Sequence, residues 1–179
     1  VKSDDTVLNT YTEIPQITTA AAASVTCTTP LNLGTTDFST LGTSTVQSSL
    51  PDATTTVDCS ACTNGFLMKI YGTGSGYNPG LLAGSNLIES PSAVNPSNAT
   101  DTLSAGAEGY GIQATTTAIG VNIDPRYKWA TSTAIVGGLA TSSVTAFVLA
   151  SSSAAVTGAP ITVTHRAAAA ETTPQGSYS

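Results

Sequence analysis

The sequence predicts an all-β fold, and three observations carry that prediction. Apolar and polar residues alternate with a period of two over several short runs, most clearly in ITVTHR at residues 161–166. Gly, Pro, Asn and Ser punctuate the chain between those runs. No stretch carries the period and cap pattern of a long helix. Many short strands separated in this way belong to a β-sandwich.

Composition narrows the function classes. The chain has 179 residues, enough for one domain with a sizeable core. Charged residues make up only 9%, against roughly 25% in an average soluble domain. Hydrophobic residues reach 40%, so the low charge signals a folded, polar-uncharged protein and not a disordered one. Eleven acids against five bases leave a net charge of −6 and argue against nucleic acid, whose binding needs Lys and Arg. No apolar run approaches the roughly 20 residues that span a bilayer as a helix. The chain opens at Val1 without a signal-peptide pattern, which reads as a processed product.

Along the chain, residues 1–25 form a tail and residues 26–179 the domain. Val7, Leu8, Tyr11 and Ile14 precede Pro15, which cannot pair within a ladder and reads as a hinge. Ile17, Ala21, Ala23 and Val25 then share one face of an extended stretch. The Ala run at 20–23 favours a helix by propensity, but the flanking Thr and Val residues favour a strand. Residues 54–72 read as a hairpin, with Val57 and Cys59 inward and the turn at Asn64-Gly65. On its second arm Phe66, Met68 and Ile70 alternate with Leu67, Lys69 and Tyr71. Residues 72–109 are loop-like. Strands follow at Tyr110, Ile112 and Ala114, at residues 119–123, and at residues 142–152 with Val144, Ala146 and Val148 inward and Phe147 and Leu149 on the other face. The final strand carries Ile161, Val163 and His165. After it come the turn residues Thr173, Pro174, Gln175 and Gly176, then Tyr178, and the strand that such a turn should introduce is not in the sequence. A sheet ended in this way leaves unpaired backbone groups that invite a partner.

Few residues suggest chemistry. Cys27, Cys59 and Cys62 are too few, with one His, for a zinc site. A disulfide fits an oxidising compartment. Three pairings are open: Cys27 with Cys59, Cys27 with Cys62, or the local Cys59–Cys62 bridge, and a long-range bridge from Cys27 to one of the other two is the expected one. His165 sits mid-strand with no nucleophile motif to serve, so no enzyme activity is expected. GTGSG at residues 72–76 lacks the Lys of a phosphate loop, and no cofactor is expected. Asn98-Ala99-Thr100 is a glycosylation sequon. Arg126, Tyr127, Lys128 and Trp129 hold two of the five bases and the only Trp. They read as a strand with Tyr127 and Trp129 inside, and alternatively as a ligand platform for a sugar or anion.

The runs SVTCTTPLNLGTTDFSTLG, TVDCSACTNGFLMKIYG and TTPQGSYS resemble spore-coat-U-type and archaic chaperone–usher pilins. The C-terminal run is also similar to Thr-rich bacterial surface β-sandwich proteins. The resemblance covers both ends of the chain and fades over residues 72–122. It implies a Cys27–Cys59 bridge, with Cys62 unassigned, and an assembly chaperone.

The resulting expectation is an all-β, incomplete immunoglobulin-like β-sandwich completed by a donor strand from a neighbouring subunit. The donor would come from Val7, Leu8, Tyr11 and Ile14, or from Ile17, Ala21, Ala23 and Val25. The acceptor groove would be lined by Val144, Val148, Ile161, Val163 and Tyr178. Head-to-tail addition of this kind makes an extracellular, cell-surface homopolymer. The alternative is a monomeric surface adhesin or carbohydrate-binding module that contacts a surface glycan.

Overall fold

A computed structural model of the chain describes residues 26–27, 38, 41–49, 52–72, 80–91, 100–128, 132–140, 146–176 and 178. Twelve strands and one 3-10 turn, with no α-helix, make up the regular structure among these residues. The strands are β1 (Thr26–Cys27), β2 (Gln47–Ser48), β3 (Ala53–Cys59), β4 (Phe66–Ile70), β5 (Gly80–Ala83) and β6 (Asn86–Glu89). They continue with β7 (Thr100–Thr102), β8 (Gly109–Thr116), β9 (Val121–Ile123), β10 (Ile135–Gly137), β11 (Phe147–Ser152) and β12 (Val156–Ala168). The larger sheet runs β1-β3-β12-β8-β10-β7, with β2 also paired to β12. A smaller sheet runs β4-β11-β9, and β5 and β6 form a hairpin. All pairings are antiparallel.

The two sheets mirror one another. Where the larger has β3-β12-β8, the smaller has β4-β11-β9. Each strand of one trio connects directly to its counterpart: β3 to β4, β11 to β12, and β8 to β9. Residues 54–72 are therefore not a hairpin. The Asn64-Gly65 turn is real, but it carries the chain from one sheet to the other, because β3 pairs with β12 and β4 with β11. Gly65 has φ +76°, and a Cβ there would run into the Ser152 carbonyl. Hydroxyls shape the other two corners. Thr116 Oγ1 donates to Pro160 O and accepts from Ala118 N, and Ser152 Oγ bonds both Ala154 O and Ala154 N.

Side chains from both sheets share one buried cluster, including Val57 and Ile161 from the larger and Phe66, Val121 and Leu149 from the smaller. Along β3 the alternation holds, with Ala53, Thr55, Val57 and Cys59 buried. On β4, Phe66 is buried, Met68 and Ile70 are half-buried, and Leu67 and Lys69 are exposed, as the pattern predicts. On β11 the expected faces are exchanged: Phe147 and Leu149 are buried and Val148 is half-buried. A register shift between Val148 and Ala150 then brings Ala150 inward as well. The larger side chains take the core, and the bulge breaks the period that alternation assumes. Val144 lies outside the described residues.

The largest correction concerns the last strand. Ile161 and Val163 are fully buried, but β12 borders no gap there. Ile161 pairs with Thr55 on one side and Thr116 on the other, and Val163 pairs with Ala53 and Ala114. Tyr178 packs half-buried against the core and donates its hydroxyl to Pro174 O. The region read as a long loop holds the β5–β6 hairpin and β7. The only Asn-containing sequon residue, Asn98, lies outside the described residues, as do the tail residues Val7, Leu8, Tyr11, Ile14, Ile17, Ala21, Ala23 and Val25.

These burial differences predict an ordering measurable by urea unfolding. Leu149→Ala should cost about 2–5 kcal/mol, whereas Val148→Ala should cost far less. The reverse ordering would put the Val148 face in the core.

Candidate functional site

The open margin of the smaller sheet is the candidate site. β4 pairs with β11 along one side, from Phe66↔Ser152 to Ile70↔Phe147. Along its other side no strand is paired among the described residues. The backbone groups of β4 that point away from β11 thus lie on the margin where Met68 and Ile70 reach the core only in part. Leu67 is 67% exposed and Tyr71, just after β4, 45% exposed. On the matching margin of the larger sheet, β1 covers β3 only at Val57 and Asp58.

The corner that joins these two margins is cross-linked. Cys59 and Cys62 form a disulfide with Cα atoms 5.3 Å apart. This local bridge replaces the expected long-range one from Cys27. Register gives the reason: Cys27 lies opposite Val57, two residues short of Cys59. Diagonal neighbours on adjacent strands stand about 7–8 Å apart, beyond the usual Cα reach of a disulfide. Both bridged cysteines are buried, and Cys62 N donates to Cys59 O while Gly65 N donates to Cys62 O. A shallow cleft of about 610 Å³ lies beside the corner, lined by residues that include Asn64, Leu67, Asn122 and Ser151. Its lining contains no acid, base or thiol, so it offers hydrogen bonds and an apolar patch but no group for proton transfer.

The Arg126–Trp129 cluster is not a strand. Asp124 caps a 3-10 turn over Pro125–Tyr127, accepting from Arg126 N at 2.9 Å. Tyr127 is fully buried, donates its hydroxyl to Gly138 O at 2.8 Å, and is out of reach of any ligand. Burial pushes its phenol up to about 12, with the Arg126 guanidinium pulling the other way. Arg126 lies over the Phe147 ring at 4.0 Å and so covers the end of the core. Gly137 and Gly138 allow this packing, because a Cβ on the first would strike the Tyr127 ring. Lys128 is exposed, and Trp129 lies outside the described residues.

Two buried polar groups on β8 were not singled out by sequence reasoning. Gln113 is 1% exposed and donates to Ser132 O and Ile135 O while accepting from Arg166 Nε. Arg166 also bonds Ser48 Oγ. On the opposite face of the same strands, Tyr110 Oη stands 2.6 Å from His165 Nδ1. These residues were visible only as uncharacteristic polar members of strong strands. Comparison of the chain with protein families, characterised proteins and solved structures finds no match. The site therefore rests on its own geometry.

The disulfide assignment has a direct check. Cleavage at Asp37 and Asp52 separates Cys27 from the other two cysteines, and non-reducing mass mapping should find Cys59 linked to Cys62. Cys62→Ala should lower unfolding stability by about 2 kcal/mol, the chain-entropy value for so short a loop. A peptide linking Cys27 to Cys59 contradicts the assignment.

Proposed function

We propose that this chain is the structural subunit of an extracellular homopolymer that assembles by β-strand addition. The observation that carries this reading is the unpaired margin of β4, where Met68 and Ile70 remain half-exposed over the core. In this reading the two sheets form an incomplete immunoglobulin-like sandwich, and the missing element is a neighbour of β4, not a successor to β12. An added strand supplies hydrogen bonds along the ladder, and its alternate apolar side chains cover the exposed flank. Residues 17–25, ITTAAAASV, have the required alternation and contain no Gly, Pro, Asn or Asp to interrupt an extended run.

Composition agrees with this role. Strand addition from one copy to the next is heterologous and propagates into a filament. A surface poor in charge and rich in Thr tolerates close packing of many copies, and five basic residues offer few sites to trypsin-like proteases. The Cys59–Cys62 bridge fits an oxidising exterior. An assembly chaperone would serve to cover the β4 margin before polymerisation. For the surface-module alternative, the buried Tyr127 offers no ring for stacking.

Negative-stain microscopy of the purified chain should show long filaments. Removing residues 1–25 should abolish them, and a peptide copying those residues should occupy the vacant margin and raise the thermal stability of the truncated chain. Filaments that persist without residues 1–25 and without peptide contradict assembly by this tail.

A further inference from the structure

A second feature lies on the β3 side of β12, where the strand pairing is interrupted. β3 pairs with β12 as far as Val163, and β2 resumes the pairing at Arg166. His165 sits opposite the interval between these two pairings. Ser49, itself fully buried, spans it: its N–H donates to His165 O at 2.9 Å, and its Oγ accepts from His165 N at 3.1 Å. The imidazole of His165 turns inward and stacks on Tyr110, with ring centroids 5.9 Å apart and planes 22° from parallel. Its Nδ1 meets Tyr110 Oη at 2.6 Å.

This pairing suits only a neutral imidazole. Tyr110 is buried and desolvation raises its pKa, so its hydroxyl keeps its proton and donates to Nδ1. The imidazole proton then resides on Nε2. Protonation at Nδ1 sets N–H against O–H. The hydroxyl can accept the new hydrogen only by turning its own proton away, and His165 is its one hydrogen-bond partner among the described residues. The charged groups around the imidazole are few. Asp52, at the start of β3, favours the charged ring, whereas β2 contributes only the uncharged Gln47 and Ser48. Arg166 points to the opposite face and is held there by Gln113 and Ser48.

We propose that His165 is an acid-sensitive latch on the β2 segment. Its protonation breaks the bond to Tyr110, draws the ring towards Asp52 and releases residues 47–49 from β12. The released segment uncovers the β12 ladder around residues 165–167 as a second open margin. The sign follows from burial, which lowers the His165 pKa below its ordinary value, with Asp52 opposing. The latch is fully stable above the ordinary histidine value of about 6.5. Stability falls as the pH drops below that value, because the released state then binds the proton more readily. This inference does not depend on the chain forming a polymer.

Amide hydrogen exchange of the whole chain tests it, corrected for intrinsic rates and compared at about pH 7.5 and about pH 5, either side of the ordinary histidine value. Protection at Gln47, Ser48 and Ser49 should be lost at the lower pH, while the β12–β8 ladder keeps its protection. In His165→Gln the loss should disappear. Equal loss in His165→Gln, or no loss in the unsubstituted chain, overturns the proposal. Ring titration of His165 by NMR in the unsubstituted chain gives a second reading that needs no variant. A midpoint below the ordinary value, shared by Tyr110 resonances, supports the latch, and a midpoint at or above it overturns the latch.

Discussion

The double pairing of β12 is the constraint on which the rest of the structure depends. A strand of thirteen residues holds β3 and β2 along one side and β8 along the other. Its inward residues Ala159, Ile161, Val163 and Ala167 are almost wholly buried. Every other element takes its place from this strand. β11 precedes it through a three-residue corner and so becomes the centre of the smaller sheet, and β4 and β9 fall on either side of β11 as β3 and β8 fall on either side of β12. These contacts join residues that are about a hundred apart in the chain for β3 and about fifty apart for β8. A strand so placed cannot end a fold that is waiting for its next neighbour.

That placement sets the edges of the molecule. The smaller sheet ends at β4 on one side and β9 on the other, and β1 joins the larger sheet on the β3 side. Small and hydroxylated side chains keep the sheets close, and the buried Cys59–Cys62 corner fixes the spacing between β3 and β4. In the proposed assembly the cross-linked corner would hold β4 in register while a partner strand adds.

Periodicity revealed the elements better than it revealed their partners. The runs at β3, β4 and β12 were legible because alternation reports which face is buried, whereas β8 is buried on both faces over residues 109–114. The Asn64-Gly65 turn was also legible, but a turn does not say whether the next strand pairs with the last or crosses to another sheet. β11 misled because a bulge lies within it. Asp124-Pro125 carried the signature of a capped turn, an Asp before a Pro, and that local chemistry outranks the alternation of Arg126, Tyr127, Lys128 and Trp129. Cys27 was paired by expectation with a cysteine that register sets two residues away, and sequence spacing holds no information on register. The candidate margin was half-legible: Met68 and Ile70 were recognised as inward residues, but that β4 lies at an edge emerges only from the sheet order.

The proposed assembly requires that the outer ladder of β4 be empty in the single chain and filled in the assembled state. Amide exchange along Phe66–Ile70 in monomers and in filaments measures this most directly. The amides of β4 that point away from β11 should exchange quickly in monomers and become strongly protected in filaments, while amides on the β11 side change little. Filaments in which those outward amides stay unprotected, with new protection appearing along Thr100–Thr102 of β7 instead, would contradict it.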